Sequence, residues 1–199
     1  SSSGPSSLNG IWGHTAQSIS NPMSKWTEVV GRISAERHRY DGGVGDNLSP
    51  AAKYWQEELD AVASQSREFQ LNRMNSVIND WPYTSDQNLY GQADKWATPL
   101  EFLDRGTGDC EDYAICKYES LRRLGFPEED MRHIAVHDLQ AGVAHMILAV
   151  DLDGQTKIPD NHSPLVMDAD DITTLNGDHN RYAPIYAMNR DGKWLYTNG

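Results

Sequence analysis

Cys110, His145 and Asp160 are the residues whose types and placement could carry a reaction: a thiol nucleophile, an imidazole base and a carboxylate to orient it. Cys110 lies in GTGDCEDYAICKYESLRRLG, residues 106–125, where a helix is predicted to begin. The unpaired N–H groups of a helix's first turn, with the positive end of its dipole, favour a thiolate and can hold an oxyanion. A nucleophilic cysteine also needs a histidine within hydrogen-bond reach and a third group that fixes the ring. His145 opens the predicted strand GVAHMILAV, and Asp153-Gly154 reads as a two-residue hairpin turn. In that register Ile147 faces Asp160, and the period of two places Asp160 diagonally beside His145 on one face. Two alternatives stand beside it. A one-residue bulge would bring Asn161 to that face, and His162 lies directly opposite His145.

The neighbours of Cys110 pull against this reading. Asp109, Glu111 and Asp112 bring three carboxylates within one turn, which, unpaired, would raise the thiol pKa. They have two explanations. Asp109 can cap the helix with Asp112 as its capping-box partner, while Glu111 suits the dipole. Alternatively, the cluster offers hard oxygen ligands to a divalent cation, whose charge would reverse the local field. Cys116, six residues on and about 240° around the helix, sits among Ala114, Ile115 and Tyr118 and reads as a buried inert thiol. Both cysteines are expected to be free.

The elements that must position these residues divide the chain. The first half reads helical, the second as strands, and the predicted class is α+β with helices on one side of an antiparallel sheet. Helical spacing runs from Pro22 to Tyr40 before DGGVGDNLSP breaks it. A second helix starts at Ser49 with Pro50 in its first turn, and LNRMNSVINDWPY continues it or forms a third that stops at Pro82. The helix from Cys110 stops at Gly125 and Pro127. Strands are predicted in MRHIAVHDL, in AHMILAVDLDGQTKIPDN across its hairpin, in RYAPIYAM and in KWLYT, the last two joined at Asp191-Gly192. Residues 1–20 read as a disordered start or added remnant, and residues 21–199 as one domain, helical over 21–125 and sheet over 131–199.

Composition narrows the partners. Lys and Arg number 17 against 29 for Asp and Glu, a net charge of -12 that disfavours nucleic acid and suits a cation. With 38% hydrophobic residues and no long apolar run, insertion into a membrane is not expected. Other metal-like patterns weaken. DLDGQTKIPDNH has glycine in the fourth place and His162 in the twelfth, which does not make an EF-hand loop. His133 and His137 lie in an alternating stretch and are expected to be half-exposed strand residues. Trp81, Tyr83 and Trp96 are expected in the core against the Cys110 helix, and Asn75 is a candidate oxyanion donor.

The stretch DKWATPLEFLDRGTGDCEDYAICKYESLRRLG, then AHMILAV and DN, resembles the bacterial transglutaminase-like cysteine proteinases. Within that family it most resembles the periplasmic LapG-type proteases that release large biofilm adhesins. The resemblance implies a papain-like core with Cys110 as nucleophile, His145 as base and acid, and Asp160 fixing the imidazole. It implies Ca²⁺ as cofactor, which gives Asp109, Glu111 and Asp112 the role of metal ligands. It also implies a periplasmic location, a large adhesin as substrate, and an inner-membrane cyclic di-GMP receptor that holds the enzyme in check. One departure is Pro159 before the DN pair, where an apolar strand residue is usual. A proline donates nothing to a ladder, so the strand should be an edge or bulged there. Two other activities remain open from sequence: acyl transfer to an amine by the same three residues, and a calcium-binding module without catalysis.

Overall fold

The computed structural model describes residues 6–41, 47–85 and 95–198. Among the described residues, five α-helices precede most of the sheet: α1 (Ser24–Glu36), α2 (Pro50–Val62), α3 (Arg67–Asn79), α4 (Pro99–Arg105) and α5 (Cys110–Arg123). Four of them start on side-chain caps that the sequence supplies. Ser49, Ser66 and Thr98 accept from the backbone N–H groups of Ala52, Phe69 and Glu101, and Asp109 forms a capping box with Asp112. Ser66 thus settles that LNRMNSVIN belongs to a separate third helix. Helix α4 was not anticipated, although Thr98, Pro99 and the left-handed Gly106 (φ 80°) mark both its ends.

The strands are β1 (Gly10–Ile11), β2 (His14–Ser18), β3 (Met131–Asp138), β4 (Val143–Leu152), β5 (Gln155–Ile158), β6 (Met167–Asp168), β7 (Tyr182–Met188) and β8 (Lys193–Asn198). They form one antiparallel sheet in the order β1-β2-β8-β7-β3-β4-β5-β6. The β4–β5 turn has positive φ at both Asp153 (53°) and Gly154 (88°), the type I′ geometry that fixes a two-residue loop. Its register, Leu152 with Gln155 and Val150 with Lys157, is the one predicted.

Two cores lie on the two faces of this sheet. The helical face buries Met146, Leu148, Val150 and Met188 against Trp26, Trp55, Leu100 and nearly all of α5. The other face buries Ile134, Val136, Ile147, Ala149 and Tyr182 under Leu8, Ile11 and Trp12. A disordered start is predicted for residues 1–20, yet residues 7–18 form a short 3₁₀ turn and two sheet strands that cover this second face. The apolar residues responsible, Leu8, Ile11 and Trp12, are isolated in a polar stretch, so no periodicity announces them. Residues 1–5 and 42–46, within the predicted start and the helix break, lie outside the described residues. His133 is also buried rather than half-exposed. Its ring packs between Trp26 and Tyr118, with centroids 4.8 and 4.9 Å away, and burial drives its pKa down to about 3.

Candidate active site

Helix α5 delivers Cys110 to an open sheet edge. Because β5 pairs only with residues 150–152 of β4, the β4 edge from Val143 to Ala149 has β3 as its single partner among the described residues. The backbone of Met146 on that edge faces the Cys110 sulfur and favours its thiolate. The thiol therefore rests against the residue next to His145. Cys110 is 7% exposed, and Cys116 is fully buried, with both thiols free as expected.

His145 meets Asp160, but not through the expected pairing, because the β4–β5 ladder ends at Val150–Lys157, short of Ile147 and Asp160. Its Nε2 donates to Asp160 Oδ1 at 2.8 Å, with both side chains buried. A carboxylate facing Nε2 holds the proton on that nitrogen, which leaves Nδ1 as the acceptor of the neutral ring. The β4–β5 ladder stops at Lys157 and the strand at Ile158. Pro159 then turns the chain out of the sheet, and the His162 N–H closes a local turn on Asp160 Oδ1 at 3.2 Å.

Further side chains gather around the pair, of which the hairpin register points to His162 alone. Tyr182 on β7 donates its hydroxyl to Asp160 Oδ2. His162 stacks on His145, rings 3° from parallel and centroids 4.1 Å apart. Arg181 pairs with Asp138 at 2.8 Å and comes within 3.4 Å of His162 Nδ1. Asn161, the alternative orienting residue, has no contact with His145 described. Burial would raise the Asp160 pKa, but the hydrogen bonds from His145 and Tyr182 and the imidazole charge outweigh it, holding the carboxyl well below the usual range. Burial, the neighbouring His145 and Arg181 push the His162 pKa down, with Asp160 opposing. His145, Asp160 and His162 could be mistaken for a metal triad, since one ligand atom from each lies within 4.8 Å of the others. Parallel stacked imidazoles aim their nitrogen lone pairs side by side, however, and a cation requires them to converge.

The three acids beside Cys110 divide between two tasks. Asp112 turns inward, is 1% exposed, and accepts from the backbone N–H groups of Ala97 (2.8 Å) and Asp109 (3.0 Å). Burial raises its pKa to about 6. Asp109 Oδ1 accepts from the Cys110 N–H at 2.7 Å and from the Tyr83 hydroxyl at 2.6 Å. Glu111 Oε2 lies 3.4 Å from the Cys110 sulfur. Ligand atoms of Asp109, Cys110 and Glu111 come within 4.8 Å of one another, a group that does not include Asp112. Burial first, then the Glu111 and Asp109 charges, push the Cys110 pKa far up, with the Met146 backbone opposing.

The remaining candidates fall around this centre. Trp96 is buried and borders a cleft of about 560 Å³ with Glu111, His145, Met146, Met23 and Trp26. Trp81 is half-buried and packs on Phe102, whereas Tyr83 is exposed and reaches Asp109 instead of the core. Asn75 is buried, and its Nδ2 has no hydrogen-bond partner among the described residues. Among the described residues no helix is long and apolar enough to cross a membrane.

Legionella pneumophila LapG is similar at 25% identity and a TM-score of 0.63, covering 88% of this chain and 90% of that one. Its calcium-bound form matches at 24% identity and 0.63, covering 87% and 88%, and its EGTA-treated form at 25% and 0.63, covering 88% and 87%. No curated protein sequence matches the chain. The family model described as bacterial transglutaminase-like cysteine proteinase, BTLCP, matches residues 48–196, and the chain belongs to that family of cysteine proteinases.

Proposed function

We propose that this chain is a calcium-dependent periplasmic cysteine endopeptidase that cleaves the N-terminal region of a large surface adhesin and so promotes biofilm detachment. The observation that carries the reading is the buried His145–Asp160 hydrogen bond, with His145 lining the same cleft as Met146 and Glu111, the residue after Cys110. Cys110 attacks the scissile carbonyl to form an acyl-enzyme. His145 Nδ1 takes the thiol proton and returns it to the leaving amine, and a water activated by the same nitrogen releases the acid. Asp160, held by Tyr182, fixes the ring and stabilises the imidazolium.

Calcium enters through the donors present. Asp109 and Glu111 are hard oxygen donors at the rim of the thiol, the type of ligand Ca²⁺ takes. The solved LapG forms include one described as calcium-bound, which supports this choice. Asp112 as a third ligand would have to give up two amide hydrogen bonds, so its part is to hold the turn on which the other two stand. A bound dication would supply positive potential beside Cys110, where the two carboxylates now oppose its ionisation. Asp109 has a second effect. It occupies the Cys110 N–H, the backbone donor best placed for an oxyanion, so the geometry of this carboxylate bears on the transition state as well as the thiol.

The adhesin substrate and restraint by an inner-membrane cyclic di-GMP receptor follow from the likeness to LapG-type proteases. The competing activity is acyl transfer to an amine. Mass spectrometry of an adhesin N-terminal fragment incubated with the enzyme and an added primary amine separates the two. Two peptides that together exceed the substrate by one water support hydrolysis, and an amine-tagged or crosslinked product contradicts it. Excess chelator should stop cleavage while far-ultraviolet circular dichroism stays unchanged, and full activity in chelator would remove calcium from the proposal.

A further inference from the structure

Lys117 is a charge in an unusual place. It lies on α5 two turns beyond Cys110, is 1% exposed, and its ammonium donates to the Pro159 carbonyl at 2.9 Å. The Tyr113 ring lies 6.0 Å from Nζ. No carboxylate forms an ion pair with it among the described residues, although Asp160 favours its charged form through space. Taking an ammonium out of water is costly when a lone carbonyl is its acceptor. Burial accordingly lowers its pKa to about 7. A methionine would fill the same space without that cost, so the residue's value lies in what its donor holds.

What it holds is the residue before Asp160. Pro159 gives the sheet no N–H, strand β5 ends at Ile158, and the Pro159 carbonyl is left outside the strand pairing. Lys117 takes that carbonyl from α5. From α3, Asn79 Nδ2 takes the next one, Asp160 O, at 3.2 Å, and Ser163 O at 3.0 Å. The turn that carries Asp160 is thus tied by its backbone to two helices, one of which also carries Cys110.

We propose that Lys117 is a positioning residue that, with Asn79, fixes the Pro159–Asp160 backbone so that the Asp160 carboxylate stays on His145. This rests on the catalytic reading above. Lys117 acts through Asp160 and touches no reacting atom.

The test is the titration of His145 in the full chain labelled with ¹⁵N-histidine, assigned with a His145→Gln variant. Lys117→Met should lower the His145 pKa by about half a pH unit or more, because a displaced carboxylate no longer supports the imidazolium. Simple removal of a positive charge has the opposite sign. A His145 pKa that is unchanged or raised in Lys117→Met therefore overturns the proposal. Thermal unfolding should be unchanged or shifted upward, since a buried ammonium is gone, and in an Asp160→Asn background Lys117→Met should have no further lowering effect on His145. Should Lys117→Met not fold, Asn79→Leu tests the same clamp from α3 by the same readout, with the same outcomes. Asp160→Asn alone separates the two levels. If it leaves the His145 titration untouched, the His145–Asp160 assignment fails whatever Lys117 does.

Discussion

The His145–Asp160 hydrogen bond, 2.8 Å long and buried, joins two residues that no strand pair holds together. His145 is a sheet residue, and Asp160 lies past the end of its strand, in a turn anchored by Lys117, Asn79 and Tyr182. The carboxylate therefore depends on side chains from α3, α5 and β7 more than on the hairpin that brought it close.

Asp160→Asn keeps the shape of the side chain but replaces an oxygen that must accept from His145 with a group that can present N–H. We expect kcat on an adhesin fragment to fall about 10²- to 10⁴-fold with KM little changed. Steady-state cleavage assays check this, and a loss confined to KM would assign Asp160 to substrate binding.

Tyr182→Phe removes one donor from the same carboxylate and leaves the ring. A hydrogen bond to a charged group is worth about 1.5–3 kcal/mol, so the Asp160 pKa should rise by about one unit or more. The sign for stability follows from the depressed pKa of Asp160 in the fold. Its contribution is present above the unfolded value near ~3.9 and is lost as pH falls below it toward the folded value. Thermal unfolding of the wild type should thus drop more steeply below about pH 4 than that of Asp160→Asn, with Tyr182→Phe between the two.

The acids beside Cys110 can be tested on the thiol itself. Glu111→Gln removes a like charge 3.4 Å from sulfur, and alkylation of Cys110 by iodoacetamide in chelator should speed up by about three- to tenfold. Calcium should accelerate the wild-type reaction and lose most of that effect in the variant. Peptide mapping reads both rates, and prior labelling of Cys116 would reassign the reactive thiol.

Leu8 is fully buried in the second core, far in sequence from the strands it covers. Leu8→Ala should cost about 2–5 kcal/mol, read from chemical denaturation. A change under about 0.5 kcal/mol would mean that the N-terminal segment does not seal this face.

What the sequence made legible and what it hid divide by the range of the interaction. The Cys110 helix start is local, written in Asp109 and Asp112, and the I′ turn at Asp153-Gly154 sets a register that narrows the orienting group to Asp160, Asn161 or His162. Pro159 predicts an edge or a bulge within the strand, and the strand instead ends one residue before it, at Ile158. Hidden were contacts between residues far apart in the chain: Tyr182 on Asp160, Lys117 on Pro159, and Leu8, Ile11 and Trp12 on the back of the sheet. Asp112 shows the same limit at short range. Three adjacent carboxylates look equivalent in sequence, and only the nearby Ala97 N–H turns one of them inward.

Wild type and Cys110→Ala, each incubated in calcium with the N-terminal fragment of a large surface adhesin, are compared by intact mass. With Cys110 as the nucleophile, the wild type yields two peptides summing to substrate plus water and Cys110→Ala leaves the substrate intact. Equal cleavage by the two proteins would rule out Cys110 as the nucleophile.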